Sequence, residues 1–275
     1  MQLFLGIDGG GTGCRAAVAD VAGHVLGRGA AGPANIASDP DKAAENILAA
    51  AGEALAAAGG GAVAAAGLGL AGANAAGATE RLREALPWPR VAVVTDGITA
   101  VKGALGPDDG VVVALGTGSV FAVQRAGMIR QIGGRGLVLG DEASGAWIGR
   151  TVLARALRAV DGFSDMTPLL AGLLDEMGGP DGIVAFSLRA RPADFATLAP
   201  RVVTSGDPAA VAVMMQAEAD VAEAVALLRA SDDLPVVFLG GLGTAFAKRM
   251  AERFAICAAR GTALDGALLL AREAA

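Results

Sequence analysis

The sequence is poor in residue types that carry specialised chemistry. Its 275 residues include two cysteines, one histidine, two tryptophans, eight phenylalanines and no tyrosine. Cys14 and Cys257 are too far apart in sequence for a metal-binding motif, and two cysteines do not make a disulfide framework. The scarcity of aromatic side chains disfavours base stacking, and a net charge of −6 disfavours a phosphate-backbone partner. We therefore expect no nucleic-acid partner.

Long apolar runs are also missing. No run reaches the roughly 20 residues that a membrane-spanning helix needs. The first residues, MQLFLGIDGG, lack the basic start and apolar core of a signal peptide. The chain is nevertheless 53% hydrophobic, which is enough for a sizeable core. These features predict a globular, cytoplasmic protein in a reducing compartment, without a membrane partner.

The first hundred residues change from strands to alternating helices and strands. Leu3 to Asp8 predicts a buried strand, and the glycine-rich turn after it leads to two further strands, which suggests an antiparallel meander. A helix with an acidic start follows Asp39. Two more strand and helix pairs come next, and the second of these strands, RVAVVTDG, ends at Asp96.

A similar opening recurs at Gly110 to Val123, where a strand, a glycine-rich turn and a second strand follow one another. Laying Gly116 to Gly118 on Gly11 to Gly13 places Ser119 on Cys14. This repeat favours a duplicated, two-domain architecture. We predict domains over 1–106 and 107–275, and we leave open whether the last helix packs back on the N-terminal domain.

The first glycine-rich stretch, GIDGGGTG, admits several interpretations. It has no lysine, so it is not a P-loop, and the strand-like CRAAVAD after it does not fit a dinucleotide fold. The remaining functional interpretation is a hairpin tip that offers N–H groups to phosphates, with Asp8 near Mg²⁺. The alternative is a plain turn with a surface aspartate. Similar stretches at Gly116 to Ser119 and Gly240 to Gly243 weaken that alternative.

Each candidate polar residue of the site admits a functional interpretation and a purely structural one. Asp96 follows a strand and could accept a proton from an attacking hydroxyl, or it could simply cap a helix. Asp141 and Glu142 could bind sugar hydroxyls, or they could stabilise a helix N-terminus. Asn35 could bind the same ligand, or it could serve a turn.

Several motifs in order carry a family resemblance: GIDGGGTGCRAAV, TDG, ALGTGS, LGDEASGAWIG, FLGGLG and DGALLLA. The chain resembles the N-acetylglucosamine and glucosamine kinase family, which belongs with the BadF/BadG/BcrA/BcrD ATPases in the actin/hexokinase/Hsp70 superfamily. GPANI, GLAGA and PADFATLAPRVV look closest to bacterial glucosamine kinases.

The resemblance implies an α/β fold of two ribonuclease-H-like, actin-like ATPase domains. Each would have a mixed five-stranded sheet flanked by helices, with ATP and Mg²⁺ in the cleft between them. It implies Asp96 as catalytic base. It implies nucleotide contacts from Asp8, Gly9, Gly10, Gly11, Thr12, Gly116, Thr117, Gly118, Ser119, Gly240 and Gly241. With the carboxylate pair above, it implies sugar contacts from Asn35, Gly72, Asp141 and Glu142.

One position departs from the family pattern. An asparagine that contacts the sugar often follows the Gly-Thr-Gly-Ser motif in N-acetylglucosamine kinases, and this chain has Val120 there. We therefore expect a kinase for the 6-hydroxyl of an amino sugar, with glucosamine ahead of N-acetylglucosamine. Two alternatives are an ATP-driven activator with an iron–sulfur cluster and a sugar sensor. Oligomeric state, including a homodimer, is left open.

Overall fold

The computed structural model describes residues 2–275, and the chain forms two compact units. Unit 1 contains the chain up to Asp108 together with residues 258–275, and unit 2 contains residues 109–257. The division after Asp108 falls within the predicted boundary region. The C-terminal segment, which the sequence prediction grouped with residues 107–257, belongs to unit 1.

Unit 1 is built on a five-stranded sheet. Its strands are β1 (Gln2–Gly9), β2 (Cys14–Ala19), β3 (Val25–Ala31), β4 (Ala62–Leu70) and β5 (Val91–Thr95), in the order β3-β2-β1-β4-β5. Strands β1, β2 and β3 form an antiparallel meander. Strands β1, β4 and β5 run parallel, so their carboxyl ends lie at one edge of the sheet.

Unit 2 has a sheet of the same topology. Its strands are β6 (Gly110–Leu115), β7 (Ser119–Arg125), β8 (Met128–Gly133), β9 (Val236–Leu239) and β10 (Ile256–Cys257), in the order β8-β7-β6-β9-β10. Strands β6 to β8 are antiparallel, and β6, β9 and β10 are parallel. The predicted fold class of two mixed five-stranded sheets is confirmed. Strand β8 and the two-residue β10 were not predicted from the sequence.

Helices cover both sheets. The helices are α1 (Pro40–Ala57), α2 (Ala78–Ala85), α3 (Asp96–Leu105), α4 (Gly145–Val160), α5 (Pro168–Met177), α6 (Gly179–Ser187), α7 (Pro192–Ala196), α8 (Ala199–Val203), α9 (Pro208–Arg229), α10 (Gly243–Met250) and α11 (Ala263–Glu273). Caps fix several starts: the Asp39 side chain accepts the Lys42 N–H at 3.0 Å before α1. Helix α10 is an addition to the sequence prediction.

Two helices of unit 1 cross with their backbones in contact. A Cβ at Gly266 in α11 would overlap the Thr99 carbonyl oxygen, and one at Gly103 in α3 would overlap the Thr262 carbonyl oxygen. Glycine alone permits this approach. The Lys102 ammonium, in a side chain that is 11% exposed, joins the same helices through both Glu273 carboxylate oxygens at 2.7 Å. Helix α11 is therefore an integral part of unit 1.

Candidate functional site

The strand register of unit 1 aligns the ends of three parallel strands. Gly9 of β1 lies beside Leu70 of β4, and Leu70 lies beside Thr95 of β5. The glycine-rich turn, the Ala71-Gly72 segment and Asp96 therefore leave the sheet at the same edge. Ligands of open α/β sheets bind at this carboxyl edge. Residues that are 86 positions apart in sequence, Gly10 and Asp96, thus emerge together.

The first glycine-rich stretch forms the predicted hairpin tip. The Gly10 N–H donates to the Gly13 carbonyl oxygen at 2.9 Å, and β2 begins at Cys14. A Cβ added at Gly10 or Gly11 would meet no protein atom within 4 Å, whereas one at Gly9 would lie 2.8 Å from Ala34 and Leu70. The inner end of the tip is therefore packed, while its outer end leaves room for phosphate oxygens near the backbone.

Asp8 lies on β1 opposite Arg15 of β2. The two side chains form an ion pair in which Asp8 is 13% exposed and Arg15 is 66% exposed. Behind them, burial and, to a lesser extent, the Asp8 charge raise the pKa of the Cys14 thiol to about 12. Asp8 is thus a largely buried, ion-paired carboxylate beside the hairpin. A hydrated Mg²⁺ bound to nucleotide phosphates needs only one or two such groups.

Asn35 and Gly72 lie against each other in unit 1. The Asn35 Oδ1 accepts the N–H groups of Ala37 at 3.0 Å and Ser38 at 3.2 Å, which fixes the side chain in a turn. Gly72 has a φ of +84°, and a Cβ there would lie 2.6 Å from that Oδ1. The structure therefore brings these two predicted sugar residues together. It also gives Asn35 the turn role that was its alternative.

Asp96 begins α3 rather than ending β5, because the strand stops at Thr95. Thr95 occupies the N-cap position, so Asp96 does not serve as the helix cap. Its carboxylate is exposed, and Oδ1 accepts the N–H of the adjacent Gly97 at 2.9 Å. An exposed carboxylate at the carboxyl edge of the sheet is available to accept a proton from a bound hydroxyl group.

In unit 2, the second hairpin borders a cavity of about 420 Å³. The Gly116 N–H donates to the Gly118 carbonyl oxygen at 2.9 Å, which closes a tighter turn than that of the first hairpin. Its lining residues come from both hairpin strands and from three loops: Ala114, Leu115, Gly116, Gly118, Ser119, Val120, Gly134, Gly136, Asp141 and Gly240. Thr117 is not among them. The cavity therefore unites most of the predicted second phosphate loop with Asp141 and Gly240.

Asp141 is held against the second hairpin in an unusual backbone conformation. Its φ is +56°, it is 7% exposed, and its Oδ1 accepts the Gly136 N–H at 3.2 Å. A Cβ at Gly118 would lie 2.9 Å from Asp141 Oδ2. A left-handed conformation at a residue other than glycine costs free energy, so its presence in a cavity wall favours a functional role.

The glycine pair after β9 packs on the base of the same hairpin. Gly240 has a φ of +85°, and a Cβ there would overlap the Leu115 carbonyl oxygen. The Leu242 N–H donates to that oxygen at 3.0 Å. A Cβ added at Gly241, in contrast, would meet no protein atom within 4 Å. Gly240 therefore permits close packing, and Gly241 leaves open surface beside the cavity.

Glu142 does not line the Asp141 cavity. It lines a separate cavity of about 570 Å³ with Asp220, Glu223 and apolar residues. Burial raises the pKa of the Asp220 carboxyl above its ordinary value, and the charges of Glu142 and Glu223 act in the same direction. The structure thus separates the two carboxylates that were grouped as one pair from the sequence.

The candidate site residues of unit 1 and those of unit 2 both include residues that were not predicted from the sequence. Arg15 pairs with Asp8, and a count of residues across the first hairpin would have placed the two opposite each other. Gly134 and Gly136 line the cavity beside Asp141. Their signal was the glycine-rich GGRG segment directly before the LGDE motif. Thr95 was also overlooked; its Oγ1 is buried and has no hydrogen-bond partner within residues 2–275.

The described residues were examined for clusters of metal-ligating side chains and for membrane-spanning helices. Among residues 2–275, no three His, Cys, Asp or Glu side chains cluster as a metal-binding group. Every helix in the same range is too short or too polar to cross a membrane. A metal ion at Asp8 would therefore need water or ligand oxygens to complete its coordination.

Two units with this shared five-stranded sheet topology are typical of the actin-like ATPase fold, which is also found in sugar kinase structures. A solved structure from Chromobacterium violaceum, described as a candidate N-acetylglucosamine kinase, matches with a TM-score of 0.81 and 35% identity. The match covers 98% of this chain and 99% of that one. Identity of this degree over nearly the full length supports a common family as well as a common fold.

The chain belongs to the BadF/BadG/BcrA/BcrD ATPase family, whose model matches residues 5–255. A glucosamine kinase from Vibrio cholerae is 29% identical over 231 residues, covering 80% of this chain and 78% of the relative. An N-acetylmuramic acid/N-acetylglucosamine kinase from Clostridium acetobutylicum is 29% identical over 183 residues, or 64% and 60% of the two chains. Family membership implies the use of ATP, and the relatives support a kinase acting on a small sugar.

Proposed function

We propose that the protein is an ATP-dependent kinase that phosphorylates the 6-hydroxyl of an amino sugar, with glucosamine as the preferred substrate. The observation that carries this proposal is the strand register of unit 1, which brings a glycine hairpin and the exposed Asp96 to one sheet edge. The glucosamine kinase relative supports the choice of substrate. Val120, in place of the asparagine typical of N-acetylglucosamine kinases, supports the same choice.

The two hairpins are proposed to bind phosphate groups through backbone N–H donors. Gly9 to Thr12 and Gly116 to Ser119 are the segments, and Gly10, Gly11 and Gly116 leave the open space that such an approach needs. Asp8 would hold hydrated Mg²⁺, and Gly240 and Gly241 would contact the adenosine part of the nucleotide. When bound, ATP supplies the transferred phosphoryl group and Mg²⁺ offsets its charge.

Asp96 is proposed as the catalytic base. Its carboxylate would orient the sugar 6-hydroxyl and accept the proton as the hydroxyl oxygen attacks phosphorus. Positioning of the two reactants and stabilisation of charge by backbone N–H groups would provide most of the rate enhancement. The Gly97 N–H, which already donates to Asp96 Oδ1, would hold the carboxylate in one orientation.

Asn35, Gly72 and Asp141 are proposed to contact the sugar. Asn35 Oδ1 is engaged by two backbone N–H groups, so its Nδ2 is the atom proposed to donate to a sugar oxygen. Asp141 presents a carboxylate to the second cavity. Glu142 lines a different cavity, and we assign it no contact with the same ligand.

The alternative of an iron–sulfur activator receives no support from the cysteines. Such a cluster needs accessible thiolates, and Cys14 is buried with its pKa raised to about 12. Cys257 alone is exposed. Absorbance near 400 nm in anaerobically purified protein would favour the activator. A sugar sensor without kinase activity would bind sugar but release no ADP.

A coupled ADP-release assay over a panel of sugars tests the proposal. The panel should contain glucosamine, N-acetylglucosamine, N-acetylmuramic acid, glucose and mannose, each with MgATP. Mass spectrometry and NMR of the product would identify the phosphorylated oxygen. We expect the fastest turnover with glucosamine and a 6-phosphate product. Absence of sugar-dependent ADP release across the panel would overturn the proposal.

A further inference from the structure

The cavity at the second hairpin contains a single charged residue among those that line it. Asp141 is that residue, and the others are glycines, small apolar side chains and Ser119. Asp141 is fixed there because its Oδ1 accepts the Gly136 N–H at 3.2 Å and its carbonyl oxygen accepts the Ser144 N–H at 3.1 Å. The cavity therefore presents one positioned negative charge.

The contact between Asp141 and Gly118 restricts what can lie beside this carboxylate. A Cβ at Gly118 would be 2.9 Å from Asp141 Oδ2, so the carboxylate lies directly against the hairpin backbone. A phosphate oxygen at the same point would be repelled by the carboxylate, because like charges at short distance interact strongly at a partly buried site. The group that contacts Oδ2 must instead carry a proton or a positive charge.

Ser119 gives an independent indication that a polar ligand group enters the cavity. The residue is 2% exposed, and its Oγ is buried without a hydrogen-bond partner anywhere in residues 2–275. A buried hydroxyl without a partner costs about 1–3 kcal/mol, so such groups normally have a function or a ligand. Ser119 and Asp141 line one cavity, whose remaining wall includes the apolar side chain of Val120.

We infer that Asp141 binds the protonated amino group of the amino sugar and thereby selects a free amine over an acetylated one. An ammonium group satisfies the carboxylate, and a neighbouring sugar oxygen can satisfy Ser119 Oγ. Acetylation removes the positive charge and adds a carbonyl group, and Val120 has no side-chain donor for that carbonyl. The inference rests on the proposed kinase function and makes Asp141 a specificity-determining residue.

The test compares Asp141→Asn with wild type on three sugars: glucosamine, glucose and N-acetylglucosamine. Asparagine retains the size of the side chain and tolerates the positive φ of this position. We expect kcat/KM for glucosamine to fall by roughly 10- to 100-fold, the usual loss for a hydrogen bond to a charged group. For glucose, whose uncharged 2-hydroxyl would donate to the same carboxylate, we expect a smaller fall of roughly 3- to 10-fold. Asp175→Asn, an exposed carboxylate on α5, is the matched control.

Binding without nucleotide gives a second measurement that does not depend on turnover. Calorimetric titration of glucosamine into wild type and Asp141→Asn should show the same loss, while the Ser119→Ala variant should weaken glucosamine and glucose alike. Thermal unfolding of each variant shows whether it is folded. An equal loss on all three sugars, or a loss that excess Mg²⁺ restores, would overturn the inference and indicate a metal or phosphate contact.

The two hypotheses fail in different ways. A wild-type protein that phosphorylates none of the three sugars and binds none would overturn the kinase proposal and the inference with it. A wild-type kinase whose preference for glucosamine persists in Asp141→Asn would overturn only the role of Asp141.

Discussion

The two units share a sheet topology but differ at the residue pair next to each hairpin. In unit 1 that pair is Asp8 and Arg15, which form an ion pair. In unit 2 the corresponding pair of β6 and β7 is Ala114 and Val120. The carboxylate at the second hairpin comes instead from Asp141, far outside the hairpin. The same backbone scaffold therefore obtains its negative charge from a strand in one unit and from a loop in the other.

The residue that begins the second strand of each hairpin also differs between the two units. Cys14 and Ser119 both begin a strand and are both buried. The Cys14 thiol packs as a small apolar group in the core of unit 1. The Ser119 hydroxyl is buried without a partner in the described structure. The comparison indicates that the second hairpin is shaped for a ligand contact that the first hairpin does not make through this position.

The largest difference is a catalytic one. Strand β5 leads into Asp96, whereas its counterpart β10 is two residues long and ends where the chain returns to unit 1. We predict that Asp96→Asn lowers kcat by about 100- to 10,000-fold, because the base that accepts the hydroxyl proton is lost. The affinity for ATP should change by less than about twofold.

Steady-state kinetics and ATP titration measure these two effects, and Asp41→Asn on α1 is the control. Asp41 is exposed and belongs to the same unit. Unchanged turnover in Asp96→Asn would show that unit 1 contributes no base at this position.

The helices of the two units pack in different ways, so we expect the stability of the units to respond differently to substitutions at these contacts. In unit 1, α3 and α11 meet through glycines, whereas α9 of unit 2 packs through Val213, Val221 and Val225. We predict that Gly266→Ala destabilises unit 1 by about 3 kcal/mol, because the added methyl group overlaps the Thr99 carbonyl oxygen. Hydrogen exchange should show lost protection in residues 2–108 and 258–275 and retained protection in residues 109–257.

Gly52→Ala in α1 is the matched control for this change. A Cβ there meets no atom beyond the backbone of its own helix within 4 Å, and alanine favours a helix over glycine by about 1 kcal/mol. The control should therefore be neutral or stabilising. Equal behaviour of the two variants would contradict the contact between α3 and α11.

Much of the fold could be predicted because apolar runs and glycine-rich turns mark the strands of both sheets. Strand β8 was missed because its segment, MIRQIG, is largely exposed and lacks a buried apolar run. The assignment of α11 to unit 1 depends on contacts across more than 150 residues, such as Lys102 with Glu273. Local patterns do not carry information of that range.

The candidate site was predicted unevenly for a similar reason. The two hairpins were recognised because glycine spacing is a local property, and Asp96 was recognised because it follows a strand. Asp141 and Glu142 were grouped because they are adjacent in sequence, but they line different cavities. The positive φ of Asp141 turns its side chain towards Gly136, and no sequence pattern indicated that conformation.

A smaller effect should distinguish the two hairpins in nucleotide binding. A methyl group at Gly10 or Gly116 meets no protein atom within 4 Å, so alanine at either position should leave the fold intact. We predict that each variant raises the KM for ATP about tenfold, because the methyl group keeps phosphate oxygens from the backbone. Thermal unfolding verifies the fold.

Both variants are to be measured with the same sugar, so that the contribution of each hairpin to ATP binding can be read directly. If Gly10→Ala alone has an effect, the second hairpin serves the sugar and the first serves the phosphates. A KM within twofold of wild type for both variants would exclude close phosphate contact at either position.

The smallest expected effect concerns the contrast between Cys14 and Ser119 at high pH. Burial raises the pKa of the Cys14 thiol from 9.0 to about 12, so between these values the folded protein keeps a proton that the unfolded chain loses. Rising pH above 9 therefore favours the unfolded chain, by up to about 1.4 kcal/mol per pH unit. Cys14→Ala removes this dependence. Urea unfolding at pH 8 and pH 10 should show that the free energy of unfolding of wild type falls by about 1.4 kcal/mol more than that of Cys14→Ala between the two conditions.

Ser119→Ala is the control in unit 2, because a serine hydroxyl does not titrate here and its variant should keep the wild-type pH dependence. A constant difference between wild type and Cys14→Ala would show that the thiol of the first hairpin is not buried in solution.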